Sequence, residues 1–246
     1  MFFDFQPDGF EPAIIIVGVL LFYYAYFYFA YSLAAERFIR NKTAAGSTEI
    51  ILFFFRKLCG LFLLGIIPGI LYFGLMENTV EKFGMTFNHL TSSLLIIASL
   101  VLITAVILFF YHNRNPQKST LQLNLSKWSI PLLMMNILGW SVYLVAYEFL
   151  FRGILLFECY HALGFWPAVA INVSIYSAIH MVYGKDQTFG ALVFGAVACY
   201  FALTRGTLLI PIFMHLSLSI LSDLYSIRSL KYVKPVSKNH FNSLEQ

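Results

Sequence analysis

The sequence predicts an all-α fold, a polytopic transmembrane helix bundle of about seven spans, and three observations predict it. Of 246 residues, 59% are hydrophobic and 11% are charged, whereas soluble domains carry about 45–50% apolar and about 25% charged residues. The mean hydropathy is +0.76. The basic residues cluster between long apolar stretches, which is the pattern of membrane topology. A soluble globular domain, a disordered chain and a collagen-like chain are thereby excluded. The 16 Lys and Arg residues form no dense run, so no nucleic-acid partner is indicated. Membrane lipids are the expected surroundings.

The elements follow in chain order. Met1–Pro12 holds Asp4, Asp8 and Glu11 but no Lys or Arg. A cleavable signal needs a basic start, so the first apolar stretch is expected to remain as a span. Ala13–Ala35 is uncharged and long enough to cross a bilayer. Its tyrosines, Tyr23, Tyr24, Tyr26, Tyr28 and Tyr31, read as packing and interface residues. Leu58–Met76 is the second span, and Pro68 should kink it by removing a backbone donor. Leu94–Tyr111 is the third. Trp128 opens the fourth, which runs past Glu148; Phe165–Tyr183, Phe189–Thr204 and Gly206–Asp223 complete the set. An eight-span arrangement ranks second.

Charge asymmetry sets the expected orientation. The first loop and its flank hold Arg37, Arg40, Lys42, Arg56 and Lys57; the third holds Arg114, Lys118 and Lys127. Lys185 lies in the fifth, and Arg228, Lys231, Lys234 and Lys238 lie in the tail. These alternate segments hold 13 of the 16 basic residues, which fits an outside N-terminus and a cytoplasmic C-terminus. The expected organisation is a three-span region over 1–127, a four-helix core over 128–226, and a basic cytoplasmic tail over 227–246. Cys59, Cys159 and Cys199 lack metal or redox spacing and read as small apolar fillers. Ala191, Gly195 and Cys199 form a small-residue stripe for close helix packing.

Ionisable side chains within a span are costly and mark function by default. Glu148 and Arg152 are spaced i, i+4 and share a helix face. His180 lies four residues after Tyr176, and His215 shares a stripe with Ser219 and Ser222. The Leu163–Trp166 stretch before Pro167 reads as a turn. At 1.5 Å per residue, Glu148 and His180 both lie about 21 Å from that turn, and His215 about 14 Å from the Arg205-Gly206 turn on the same side. Three helices should therefore bring a carboxylate and two imidazoles to one layer. A carboxylate beside an imidazole can activate water, and a second imidazole with a hydroxyl can stabilise an oxyanion. Zinc held by Glu148, His180 and His215 is the alternative use of these groups, although the chain has no HExxH.

These residues resemble the motifs of a known family. Tyr147-Glu148-Phe149-Leu150-Phe151-Arg152-Gly153 is similar to the EExxxRG motif of the CPBP family, which includes type II CAAX prenyl proteases and bacteriocin-processing or self-immunity proteins. Tyr176…His180 is similar to its FxxxH motif and His215…Ser219 to its HxxxN motif. The resemblance covers roughly residues 130–225. It implies a metal-free intramembrane endopeptidase, in the bacterial cell membrane, acting on a hydrophobic or lipidated peptide. It further implies that Glu148 and His180 activate water, and that His215 and Ser219 hold the oxyanion. Arg152, Tyr147 and Tyr176 would support them.

The chain departs from that pattern at three positions. Tyr147 replaces the first glutamate, Ser219 the asparagine, and Tyr176 the phenylalanine. A phenol, with an ordinary pKa of about 10, is a poor base at pH 7, so base chemistry falls to Glu148. Adjacent helix positions differ by about 100°, so Glu148 needs a local shift to take that place. The alternative function is a non-catalytic relative acting as a membrane binding or bacteriocin-immunity protein. A transporter ranks third, because the halves show no inverted repeat.

Overall fold

The protein is described by a computed structural model over residues 10–76, 80–86, 90–115, 121–123, 125 and 128–230. Among the described residues, seven helices are long and apolar enough to cross a membrane. Ten α-helices build them: α1 (Phe10–Ala30), α2 (Leu33–Lys42), α3 (Ala45–Gly60), α4 (Ile67–Met76), α5 (Leu90–Arg114), α6 (Ile130–Glu148), α7 (Phe157–Leu163), α8 (Phe165–Ile179), α9 (Lys185–Arg205) and α10 (Leu209–Leu230). The expected tail from Lys231 onward lies outside the described residues, as do Asp4, Asp8, Lys118 and Lys127.

Several boundaries differ from the sequence expectation. The second span begins well before Leu58, covering Gly46–Gly74. The run Ile50–Phe55 is apolar enough to start it. Arg56 and Lys57 are therefore helical and not loop residues. Lys57 is tolerated there because aromatic rings cover its ammonium. Pro68 ends no helix: a π-helix over Leu61–Ile66 precedes it, and α4 continues through it. The wider turn accommodates the donor that proline removes. The fourth span opens at Ile130, where the Ser129 hydroxyl caps the Leu132 amide and Pro131 fills the first turn. The sixth extends from Lys185 to Arg205 and the seventh from Leu209 to Ser229.

Short connections make the last spans antiparallel neighbours. Gly164, with φ 84°, alone separates α7 from α8. Gly206, with φ 60°, closes α9 by donating to Ala202. Both are left-handed positions that favour glycine. α8 packs on α9, α10 on α5 and α6, and α3 on α6. On the Gly206 side, residues 80–86 fasten the first spans to the last. Leu208 N donates to Gly84 O at 2.8 Å, Thr86 Oγ1 to Gly206 O at 3.1 Å, and Thr207 Oγ1 to Thr86 O at 3.0 Å. Leu21, Tyr28, Leu95, Leu102 and Ile107 point outward. Exposed apolar side chains of this kind suit a surface bathed in lipid.

Candidate functional site

The site is built on the junction between α6 and a π-helix over Phe149–Leu156, which starts immediately after Glu148. An α-helix offsets residues four apart by about 40°, and the wider π turn brings Glu148 and Arg152 closer to one line. Both are fully buried, with Arg152 Nη1 3.2 Å from either carboxylate oxygen. The guanidinium carbon sits 4.0 Å from the centroid of the Tyr176 ring. Among the described residues, two of its nitrogens, Nε and Nη2, have no hydrogen-bond partner, so ring and carboxylate together compensate the charge.

α10 carries His215 to the other side of the carboxylate, where His215 Nδ1 donates to Glu148 Oε1 at 2.6 Å. Charge-assisted contacts of this length are strong. The result is an Arg152–Glu148–His215 chain joining the fourth and seventh spans. His180 arrives from the end of α8. Its Nδ1 meets the Tyr176 carbonyl at 2.7 Å. A carbonyl only accepts, so Nδ1 is the donor, and in the neutral ring Nε2 carries a free lone pair. Among the described residues no hydrogen bond joins His180 to Glu148. Tyr176 connects them instead: its ring centroid lies 4.5 Å from that of His180 and 6.4 Å from that of His215.

The remaining sequence candidates occupy distinct places. Tyr147 is buried in an aromatic wall with Tyr23, Tyr143, Phe151 and Tyr176, and meets the His215 ring edge-on at 5.7 Å. Ser219 is one turn beyond His215 on α10 and half-buried. Gly195 lets α9 approach: a Cβ there would lie 3.3 Å from Tyr176 Cδ1 and 3.7 Å from Arg152 Nη2. The small-residue stripe therefore packs directly on the charged group. Among the described residues, no three His, Cys, Asp or Glu groups are gathered to hold a metal ion.

Further buried polar groups surround the site. Asn172 Nδ2 donates to the Phe151 carbonyl of the π-helix at 2.6 Å, and the thiol of Cys199 donates to Asn172 Oδ1 at 3.2 Å. Cys199 is thus more than an apolar filler. Asn172 lies two turns before His180, and that spacing was its available signal. Lys57, Asn136, Trp140 and Asp223 form a second polar cluster. Asp223 was hidden by being taken as the end of its span, and Lys57 by being taken as loop.

Fold and site define an integral multi-pass membrane protein with a buried carboxylate–guanidinium–imidazole chain between its last four spans. Residues 127–221 match the family model described as Rce1-like, type II CAAX prenyl endopeptidase Rce1-like. The match covers the stretch whose three motifs resemble those of the CPBP family, and the matched family is a peptidase family. No curated protein matches the chain, and no solved structure does.

Proposed function

We propose that the chain is an intramembrane endopeptidase that hydrolyses a peptide bond in a membrane-associated, hydrophobic or lipidated substrate without a metal. The observation carrying this reading is the 2.6 Å contact between Glu148 and His215, backed by Arg152 and flanked by His180. Water activation falls to Glu148 with His180, whose Nε2 is the lone pair free to take the water proton. The hydroxide then attacks the carbonyl carbon. Glu148 stabilises His215 as imidazolium, and His215 Nε2–H, with the Ser219 hydroxyl, donates to the developing oxyanion. His180 returns its proton to the leaving amine, so the proton count closes. Tyr147 serves as a wall for His215 and not as a base. An outside N-terminus, a cytoplasmic C-terminus and a bacterial cell membrane complete the reading, supported by the distribution of basic residues and the motif resemblance.

The test is cleavage of hydrophobic peptides by the purified protein in lipid discs. Glu148→Ala and His180→Ala should abolish it, while circular dichroism reports a retained helical bundle. Function that survives both substitutions in folded protein would instead indicate a non-catalytic binding or immunity role.

A further inference from the structure

α8 carries Asn172, Tyr176 and His180 at i, i+4 and i+8, one stripe along the helix. Its far end delivers His180, and its middle sets the Tyr176 ring centroid 4.0 Å from the Arg152 guanidinium carbon. Its near end is Asn172, which is 0% exposed. Both ends of that amide are engaged: Nδ2 donates to the Phe151 carbonyl at 2.6 Å, and Oδ1 accepts from the Cys199 thiol at 3.2 Å. A carbonyl only accepts, so the amide nitrogen must face Phe151, and the thiol then meets the oxygen. Cys199 is also 0% exposed. It lies one turn beyond Gly195, where α9 closes on Tyr176 and Arg152. The fourth, fifth and sixth spans are thus tied together at one point, one residue before Arg152.

That point falls inside the π-helix over Phe149–Leu156, and the helical register there sets the geometry of the site. A π turn pairs a carbonyl with the amide five residues on, whereas an α turn uses the amide four residues on. The α register would offer the Phe151 carbonyl to the Leu155 amide and swing Glu148 and Arg152 about 40° apart around the helix axis. Arg152 Nη1 and His215 Nδ1 converge on Glu148 at 3.2 and 2.6 Å, so such a rotation would draw the carboxylate out of their reach. A buried carbonyl needs a donor. Asn172 supplies one from outside the helix, which removes the pull toward the α register. Among the described residues, no hydrogen bond joins Asn172 to Glu148, His180 or His215, so its effect on them runs through the backbone.

We propose that Asn172 is a positioning residue: its amide holds the Phe151 carbonyl and so keeps Glu148 and Arg152 in the π register that aligns them with His215. Cys199 orients the amide for that task. Neither side chain touches substrate. The inference rests on the peptidase reading for its kinetic consequence, but the geometry that Asn172 holds exists without substrate and can be observed without turnover.

The experiment has two readouts on the full-length protein. In mixed micelles, NMR of isotope-labelled histidine follows the His215 Nδ1–H proton, which the short contact to Glu148 moves to low field. In lipid discs, steady-state cleavage of a hydrophobic peptide gives kcat and KM. A displacement of about 1 Å at the reacting groups costs about 10²-fold in rate, so Asn172→Ala should lower kcat by that factor and leave KM unchanged. The His215 resonance should move upfield in the same variant while circular dichroism reports a retained bundle. Asn172→Asp supplies a donor only while protonated, so its kcat relative to the parent should fall as pH rises. Cys199→Ser keeps a donor for the amide oxygen and should match the parent in both readouts. Cys199→Ala removes that donor and should fall between the parent and Asn172→Ala. The Cys199 pair decides the matter if Asn172→Ala does not fold. An unmoved His215 resonance in folded Asn172→Ala, a loss confined to KM, or identical behaviour of Cys199→Ser and Cys199→Ala overturns the role. The two readings fail separately. A resonance that moves as expected in a chain whose parent cleaves nothing sinks the peptidase reading alone. A parent that cleaves peptide, with kcat and resonance both unchanged by Asn172→Ala, sinks the positioning role alone.

Discussion

Replacing Arg152 with Met should destabilise the protein by about 3–5 kcal/mol, the usual cost of removing one partner of a buried ion pair. The structure supplies each part of that expectation. Arg152 and Glu148 are both 0% exposed and 3.2 Å apart, so water cannot replace the lost guanidinium. The substitution also removes a cation from 4.0 Å over Tyr176, a contact worth about 2 kcal/mol when desolvated. His215, 2.6 Å from the carboxylate, still donates to it after the substitution, which pulls the loss toward the lower end. The double variant Glu148→Gln/Arg152→Met removes both charges. It should be less destabilised than the two single effects predict, by about 0.5–3 kcal/mol. Reversible unfolding in mixed micelles, followed by circular dichroism, measures all four proteins. If Arg152→Met unfolds within about 0.5 kcal/mol of the parent, as an ordinary surface change does, the pair does not hold the site together.

Two other outcomes follow from the packing and the topology. Gly139→Ala drives a Cβ into the Phe53 ring, where α3 meets α6; the overpacking should cost about 1–3 kcal/mol in the same assay. Single cysteines at Asp8 and Lys234 should be labelled by impermeant reagents from opposite sides of sealed vesicles, and labelling of both from one side would reject an odd number of spans.

Seven spans were legible because each is a long apolar run, and hydropathy needs no knowledge of partners. Their ends were less legible. Lys57 looked like a loop residue because sequence shows a charge and not the Trp140 ring that covers it. The grouping of Glu148, Arg152 and His215 was accessible from motif spacing and from depths within about one helical turn of each other, since antiparallel helices convert residue number into height. What spacing could not supply was the π-helix after Glu148, a change in hydrogen-bond register that leaves no mark in hydropathy. Nor could it show that the carboxylate contacts His215 directly while His180 is held by a backbone carbonyl. Those choices depend on side-chain rotation about each helix, which a depth argument leaves free. Asn136 and Asp223 remained hidden for a related reason: 87 residues separate them, and neither belongs to a motif.

The most direct measurement is the turnover number for a membrane-associated peptide, compared between the parent, Glu148→Gln and Tyr147→Phe. Gln keeps the shape and an acceptor for Arg152 and His215, so the fold should persist. Loss of the carboxylate should lower the rate by about 10²–10⁴-fold. Tyr147→Phe keeps the ring that packs on His215 and should leave the rate close to that of the parent. A parent-like rate for folded Glu148→Gln would contradict the account, since the carboxylate between Arg152 and His215 would then take no part in the reaction.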